Sequence, residues 1–229
     1  AVIEYNKKYL REELGFTEKM LDDLSSDRSS CLTLEIGVVE KRVNFLKERV
    51  DLKRSEMQKI AQRQPNILVL ENVAQKLDYL ETRLLLDKSS LRKLIIRFPN
   101  VFCYNVETKI EPTLHWIQQR LDLDDASLSR MIQQMPSLVS FNVNTNIEPT
   151  LNFYIEALGS EKEALALVIH YPSLISYSLT KRLEPRLREV QDAGIDIDTA
   201  CLTRLAKYTH ERWHVSLASQ MNKMNKVEN

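Results

Sequence analysis

The sequence predicts an all-α solenoid built from repeats of roughly 36 residues, each a helix, a short proline-led turn and a second helix. Three observations predict it. The seven prolines fall into two interleaved series with a single period. The apolar residues on either side of them keep helical spacing, and no segment alternates apolar and polar residues as a half-buried strand does.

The first series is Pro65, Pro99, Pro136 and Pro172, spaced 34, 37 and 36 residues. The second is Pro112, Pro149 and Pro185, each 13 residues after a member of the first. Ahead of the first-series proline, apolar residues stand eight, five, four and one positions back: Leu91, Leu94, Ile95, Phe98; Leu128, Met131, Ile132, Met135; Ala164, Leu167, Val168, Tyr171. This is the stripe of an amphipathic helix, and proline ends it because the ring has no N–H and clashes with the preceding turn. A turn of six to eight residues follows. It opens Pro-Asn-Ile-Leu at 65, Pro-Asn-Val-Phe at 99, Pro-Ser-Leu-Val at 136 and Pro-Ser-Leu-Ile at 172. The second-series proline then sits in the first turn of the second helix, where its missing N–H has no partner to lose. The motif is Ile-Glu-Pro-Thr-Leu at 110–114 and 147–151 and Leu-Glu-Pro-Arg-Leu at 183–187, with apolar residues continuing through Ile117 and Leu121 and through Tyr154 and Leu158. Gly159 reads as a helix stop, and Ser160 with Glu163 as a capping box for the next helix.

The pattern weakens outward. Leu21 and Leu24 precede Ser29, one period before Pro65, and Val43 and Leu46 resemble a second helix. Leu202, Leu205 and Ala206 repeat the first-helix stripe, but Tyr208-Thr209-His210 replaces the proline. Solenoids need such atypical ends as caps. The expected organisation is one domain over 1–229, with a degenerate unit at 1–48, well-formed repeats at 49–200 and a cap at 201–229.

Composition removes several classes. The 32 basic and 32 acidic residues cancel, which argues against a uniformly basic surface. Four glycines, none within twenty residues of another, cannot form a phosphate-cradling loop. Cys31, Cys103 and Cys201 lie too far apart in sequence for a C-x-x-C pair. No apolar run reaches membrane-spanning length, so no membrane insertion is expected. The chain opens with Ala1 rather than Met, so a targeting peptide can be neither read nor excluded.

Pentatricopeptide and tetratricopeptide repeats have a similar period but lack one proline closing the first helix and another opening the second. The double-proline motif, over about residues 50–205, resembles the mitochondrial transcription termination factor (mTERF) family. The resemblance implies a curved superhelix, of either hand, built from helix–3-10 turn–helix repeats, with nucleic acid along a concave basic face. It also implies a mitochondrial or plastid location and work in transcription termination or regulation, or in RNA and ribosome metabolism. The expected partner is double-stranded DNA or structured RNA, with an organellar protein complex as the alternative if the solenoid serves as a scaffold.

A recognition face should repeat its chemistry from unit to unit. Two positions back from the first-series proline stand Arg63, Arg97, Gln134 and His170. Near the end of the second helix stand Arg49, Arg83 and Arg120, with Ala157 in the next unit. Either ladder could hold phosphates, although cations near a helix C-terminus are favoured by the macrodipole in any protein. Lys181, Arg182 and Arg186, with Arg188, form the densest basic cluster of the repeats. Tyr104, Phe141 and Tyr177 recur five residues past the proline, either as stacking platforms for bases or as packing between repeats. His210-Glu211-Arg212-Trp213-His214 matches H-E-x-x-H, but the sequence that follows offers only Glu228 as a further ligand. No nucleophile, base and orienting group converge, so neither enzyme activity nor a cofactor or metal is expected.

Overall fold

A computed structural model describes residues 1–26 and 31–227, with side chains through 222. Ser29 and Glu228 lie outside the described residues. Thirteen α-helices and their connecting turns make up the fold, with no strand among the described residues. The chain divides into two compact units, Ala1–Ser140 and Phe141–Asn229.

The first unit holds α1 (Val2–Leu14), α2 (Glu18–Ser25), α3 (Val38–Arg49), α4 (Arg54–Arg63), α5 (Val73–Arg83), α6 (Lys88–Arg97), α7 (Glu111–Arg120) and α8 (Asp125–Gln134). The second holds α9 (Glu148–Leu158), α10 (Glu161–His170), α11 (Glu184–Asp192), α12 (Thr199–Lys207) and α13 (His210–Val227). After α4, α6, α8 and α10 each first-series proline opens a 3-10 turn: Pro65–Leu68, Pro99–Cys103, Pro136–Ser140 and Pro172–Ser176. The residue before the proline is driven out of helical geometry. Phe98 has φ −139° and ψ 68°, and Met135 and Tyr171 are alike. The stripe therefore splits: Leu91, Leu94 and Ile95 are buried, whereas Phe98 is half-buried, and the next two repeats do the same. The third and fourth residues of each turn take over as core: Ile67 and Leu68, Val101 and Phe102, Leu138 and Val139, Leu174 and Ile175 are all buried.

The connection is longer than the six to eight residues expected. Between α6 and α7 it occupies residues 98–110, because a wide five-residue turn, Val106–Ile110, follows the 3-10 turn. Equivalent wide turns, Val143–Ile147 and Leu179–Leu183, precede Pro149 and Pro185. In each, N–H groups reach back five residues, as from Ile110 to the Asn105 carbonyl at 3.0 Å. The wider turn opens the hydrogen-bond ladder ahead of the proline, where a regular helix would set its ring against a carbonyl. α5 has no second-series proline, and no such turn precedes it.

Each second helix ends in a left-handed residue that turns the chain toward the next repeat. Gly15, Asp51, Leu85, Asp122, Gly159 and Gly194 all have positive φ, between 49° and 67°. Helix-end carbonyls are then satisfied from neighbouring elements. In the first unit Gln62 Nε2 donates to Leu14 O (2.7 Å) and Gly15 O (3.0 Å), and Gln58 Nε2 to Glu13 O (2.9 Å). Ser129 Oγ donates to Leu84 O, and Arg97 reaches the carbonyls of Gln133 (2.8 Å) and Gln134 (2.9 Å). In the second unit Tyr154, fully buried, donates its hydroxyl to Leu174 O at 3.2 Å.

Candidate nucleic-acid interface

The two cation ladders have different surroundings. Arg63, at the end of α4, is exposed and has no hydrogen bond or ion pair among the described residues. Arg97 is exposed and caps α8, which brings it onto the backbone of Gln134, its counterpart in the next repeat. His170 is exposed, its ring edge-on to Tyr171 at 4.3 Å.

In the second ladder the charges are already matched. Arg49 bonds Asp78 at 2.8 Å and also Glu81, and these carboxylates push its guanidinium pKa up, Glu81 first. Arg83 bonds Glu111 at 2.9 Å, Gln118 at 2.7 Å and Asp125 at 3.4 Å, and Tyr79 donates to the same Glu111. Glu111 is the acid of the Ile-Glu-Pro-Thr-Leu motif, so here the motif clasps one repeat to the next. Arg120 is half-buried at the end of α7.

The basic cluster of the second unit divides as well. Lys181 is exposed. Arg182 donates to Ala206 O at 3.1 Å and lies 5.0 Å from the centre of the Tyr177 ring. Arg186 is buried, donates to Leu205 O (2.7 Å) and Tyr208 O (2.8 Å), and covers Trp213. Burial and then the neighbouring Arg182 pull its pKa down. Of the aromatic ladder, Tyr104 stacks on Phe98 within the first unit (6.2 Å, 13° between planes), and Phe141 is half-buried. The two histidines of H-E-x-x-H lie 4.3 Å apart on α13, while Trp213 between them is buried and donates to Glu189 at 2.6 Å. Among the described residues no three His, Cys, Asp or Glu side chains gather as a metal site would require.

Sequence reasoning missed a third basic position. Arg42 donates to Leu68 O at 2.7 Å, and buried Lys76 donates to Phe102 O, each reaching the fourth residue of a 3-10 turn. Burial lowers the Lys76 pKa. Aligning second helices on Arg49, Arg83 and Arg120 puts Arg42, Lys76, Thr113, Thr150 and Arg186 at this one place. Aligning on the prolines hid it, because α3 and α5 have none. Two further cation–ring contacts were also missed: Lys207 stands 3.4 Å from the centre of the Tyr171 ring, and Arg212 4.1 Å from that of Tyr208.

Paired helices, with a proline-opened 3-10 turn after α4, α6, α8 and α10, define a helical-repeat protein. The chain belongs to the mTERF family, whose model matches residues 2–214. Proteins of that family are in general organellar nucleic-acid-binding repeat proteins and are not typically enzymes. Comparison with curated proteins gives no match. No helix among the described residues is long and apolar enough to cross a membrane.

Proposed function

We propose that this protein binds double-stranded DNA or structured RNA in a mitochondrion or plastid and acts in transcription termination or regulation, or in RNA and ribosome metabolism. The observation that carries this reading is the sorting of the cations. Arg49 and Arg83 are neutralised within the repeat stack, whereas the cations Arg63, Arg97, Lys181 and Arg182 have no carboxylate within ion-pair range among the described residues; exposed His170 is a further candidate contact. Cations left in that state attract phosphate and release its counterions. Arg186 lies close to Lys181 and Arg182 in sequence and adds to their positive charge, and Arg120, half-buried at the end of α7, is a further candidate.

The test is binding of duplex DNA and of structured RNA at two salt concentrations. The Arg63→Ala/Arg97→Ala/Lys181→Ala variant is expected to bind at least tenfold more weakly, with the log–log salt slope reduced by roughly 0.9 for each phosphate that is no longer neutralised. Arg49→Ala is expected to leave that slope unchanged. Absence of binding at low salt, or indifference to the triple variant, would favour a scaffold in an organellar assembly. One observation supports that second reading: residues 105–169 carry 4 basic against 9 acidic side chains, a poor lining for a polyanion groove.

A further inference from the structure

The second compact unit contains a grouping that phosphate binding alone does not explain. Three half-exposed tyrosines each lie beside a cation: Tyr171 under Lys207 (3.4 Å), Tyr208 under Arg212 (4.1 Å) and Tyr177 under Arg182 (5.0 Å). All three pairs gather at the C-terminal end of α12. Arg182 donates to Ala206 O, Lys207 is the next residue, and Arg186 donates to the carbonyl of Tyr208. Tyr171 and Tyr177 flank the 3-10 turn Pro172–Ser176, and the ring of exposed His170 lies nearly perpendicular to that of Tyr171.

Attraction of cations to a helix C-terminus accounts for Arg182 and Arg186, which bond its carbonyls. It favours Lys207 too, at the last position of α12. It accounts neither for the ring beneath Lys207 nor for Arg212, which lies near the start of α13; both stand over rings with no acid in ion-pair range among the described residues. Two of the three acids of α11 are engaged elsewhere: Glu189 accepts from Trp213 at 2.6 Å, and Glu184 faces Arg188 at 4.0 Å. In the first unit Arg11, Arg49, Arg54, Arg83 and Arg92 meet carboxylates, while Arg42 and Arg97 bond backbone carbonyls, and among the described residues none of them stands over a ring.

We propose that this cluster is a binding site for single-stranded nucleic acid, in which Tyr171, Tyr177 and Tyr208 stack on unpaired bases while Arg182, Lys207 and Arg212 take the adjoining phosphates. A base offers its π-face only when it is out of the duplex, so aromatic platforms select single strands where cations alone do not. A cation–ring contact at a half-exposed site is weak and exchangeable. A base can therefore replace the cation on the ring and free it for phosphate. The site rests on the nucleic-acid reading above and adds to it a strand state and a location.

The experiment uses the full chain and measures fluorescence anisotropy with labelled single strands of about twelve nucleotides, as RNA and as DNA of one sequence, beside the matching duplexes. Tyr171→Leu/Tyr177→Leu keeps the cations and removes the rings. It is expected to weaken single-strand binding at least tenfold, to change duplex binding less than twofold and to leave the salt slope unchanged. Tyr171→Phe/Tyr177→Phe keeps the rings and is expected to bind as the parent does, which controls for folding. Photocrosslinking of 4-thiouridine RNA to the unaltered protein is expected within residues 170–182 and 207–212. Equal loss for single strands and duplexes, no loss for either, or crosslinks confined to other segments would overturn the single-strand site while leaving duplex binding standing. Failure of every nucleic acid to bind would overturn both readings. The RNA and DNA arms decide which strand chemistry the site accepts.

Discussion

Leu85 ends α5 with φ 49°, its side chain 64% exposed, at a place in the repeat where Gly15, Gly159 and Gly194 serve elsewhere. A side chain in the left-handed region costs about 1–2 kcal/mol, and an exposed leucine recovers little of that by burial. Leu85→Gly is therefore expected to raise stability by about 0.5–1 kcal/mol after allowing for the extra freedom glycine gives the unfolded chain, read as a higher denaturant midpoint with unchanged slope. Gly159→Ala is expected to do the reverse, lowering stability by about 1 kcal/mol; nothing lies within 4 Å of the added Cβ, so the loss is conformational. At this scale the prolines and Gly159 were legible because each acts through its own backbone. The pairing of Arg49 and Arg83 was not. The acids that meet Arg49 lie 29 and 32 residues on, while those that meet Arg83 lie 28 and 42 residues on, so no fixed spacing betrays them.

Among the elements, the wide turns ahead of α7, α9 and α11 share a start signal. Asn105, Asn142 and Ser178 each accept, through a side-chain oxygen, the N–H three residues on, at 2.8, 2.9 and 3.2 Å. Asn105→Ala is expected to cost about 1 kcal/mol, with hydrogen exchange faster in Val106–Ile110 than in α6. The helices were legible because burial imposes a 3.6-residue stripe on them. The wide turns were not, since five residues are too few to show a period, and their cause lies in a proline beyond their own end. Ser160 caps α10, accepting the Glu163 N–H at 3.3 Å, but the Glu163 carboxylate does not return to the Ser160 N–H, so only half of the expected capping box forms.

For the whole molecule, the neutral total conceals local bookkeeping that acid should upset. Asp87 and Asp124 cap α6 and α8 and are held below the ordinary carboxylate pKa, Asp87 chiefly by the Ser90 N–H and Asp124 chiefly by the Ser127 side chain. Glu56 is lowered chiefly by the Lys53 N–H and further by Arg92. A carboxylate whose folded pKa is depressed stabilises the fold fully above its unfolded value and loses that contribution as pH falls through the folded one. Stability is thus expected to hold down to about pH 5 and to decline below about pH 4, followed by thermal denaturation across that range. Asp87→Asn/Asp124→Asn is expected to flatten the decline. The class of fold was legible from the period alone. Of the candidate site, the positions of the cations were legible but their neutralisation was not, because one linear pattern of charge fits both an open and a matched cation.

The helix ends finished from neighbouring elements also bear on how such a chain can change length. α1 draws donors from α4, α8 from α6, and α12 from α11 and the turn before it. Deleting one helix would strand acceptors on a neighbour and donors on another, a double loss that no single substitution repairs. Loss of a whole repeat does the same, because each of these bonds joins one repeat to another. The left-handed residues mark where one unit ends and the next begins, but the bonds that finish the helix ends cross those marks, so the repeats within each compact unit are expected to unfold together rather than one by one.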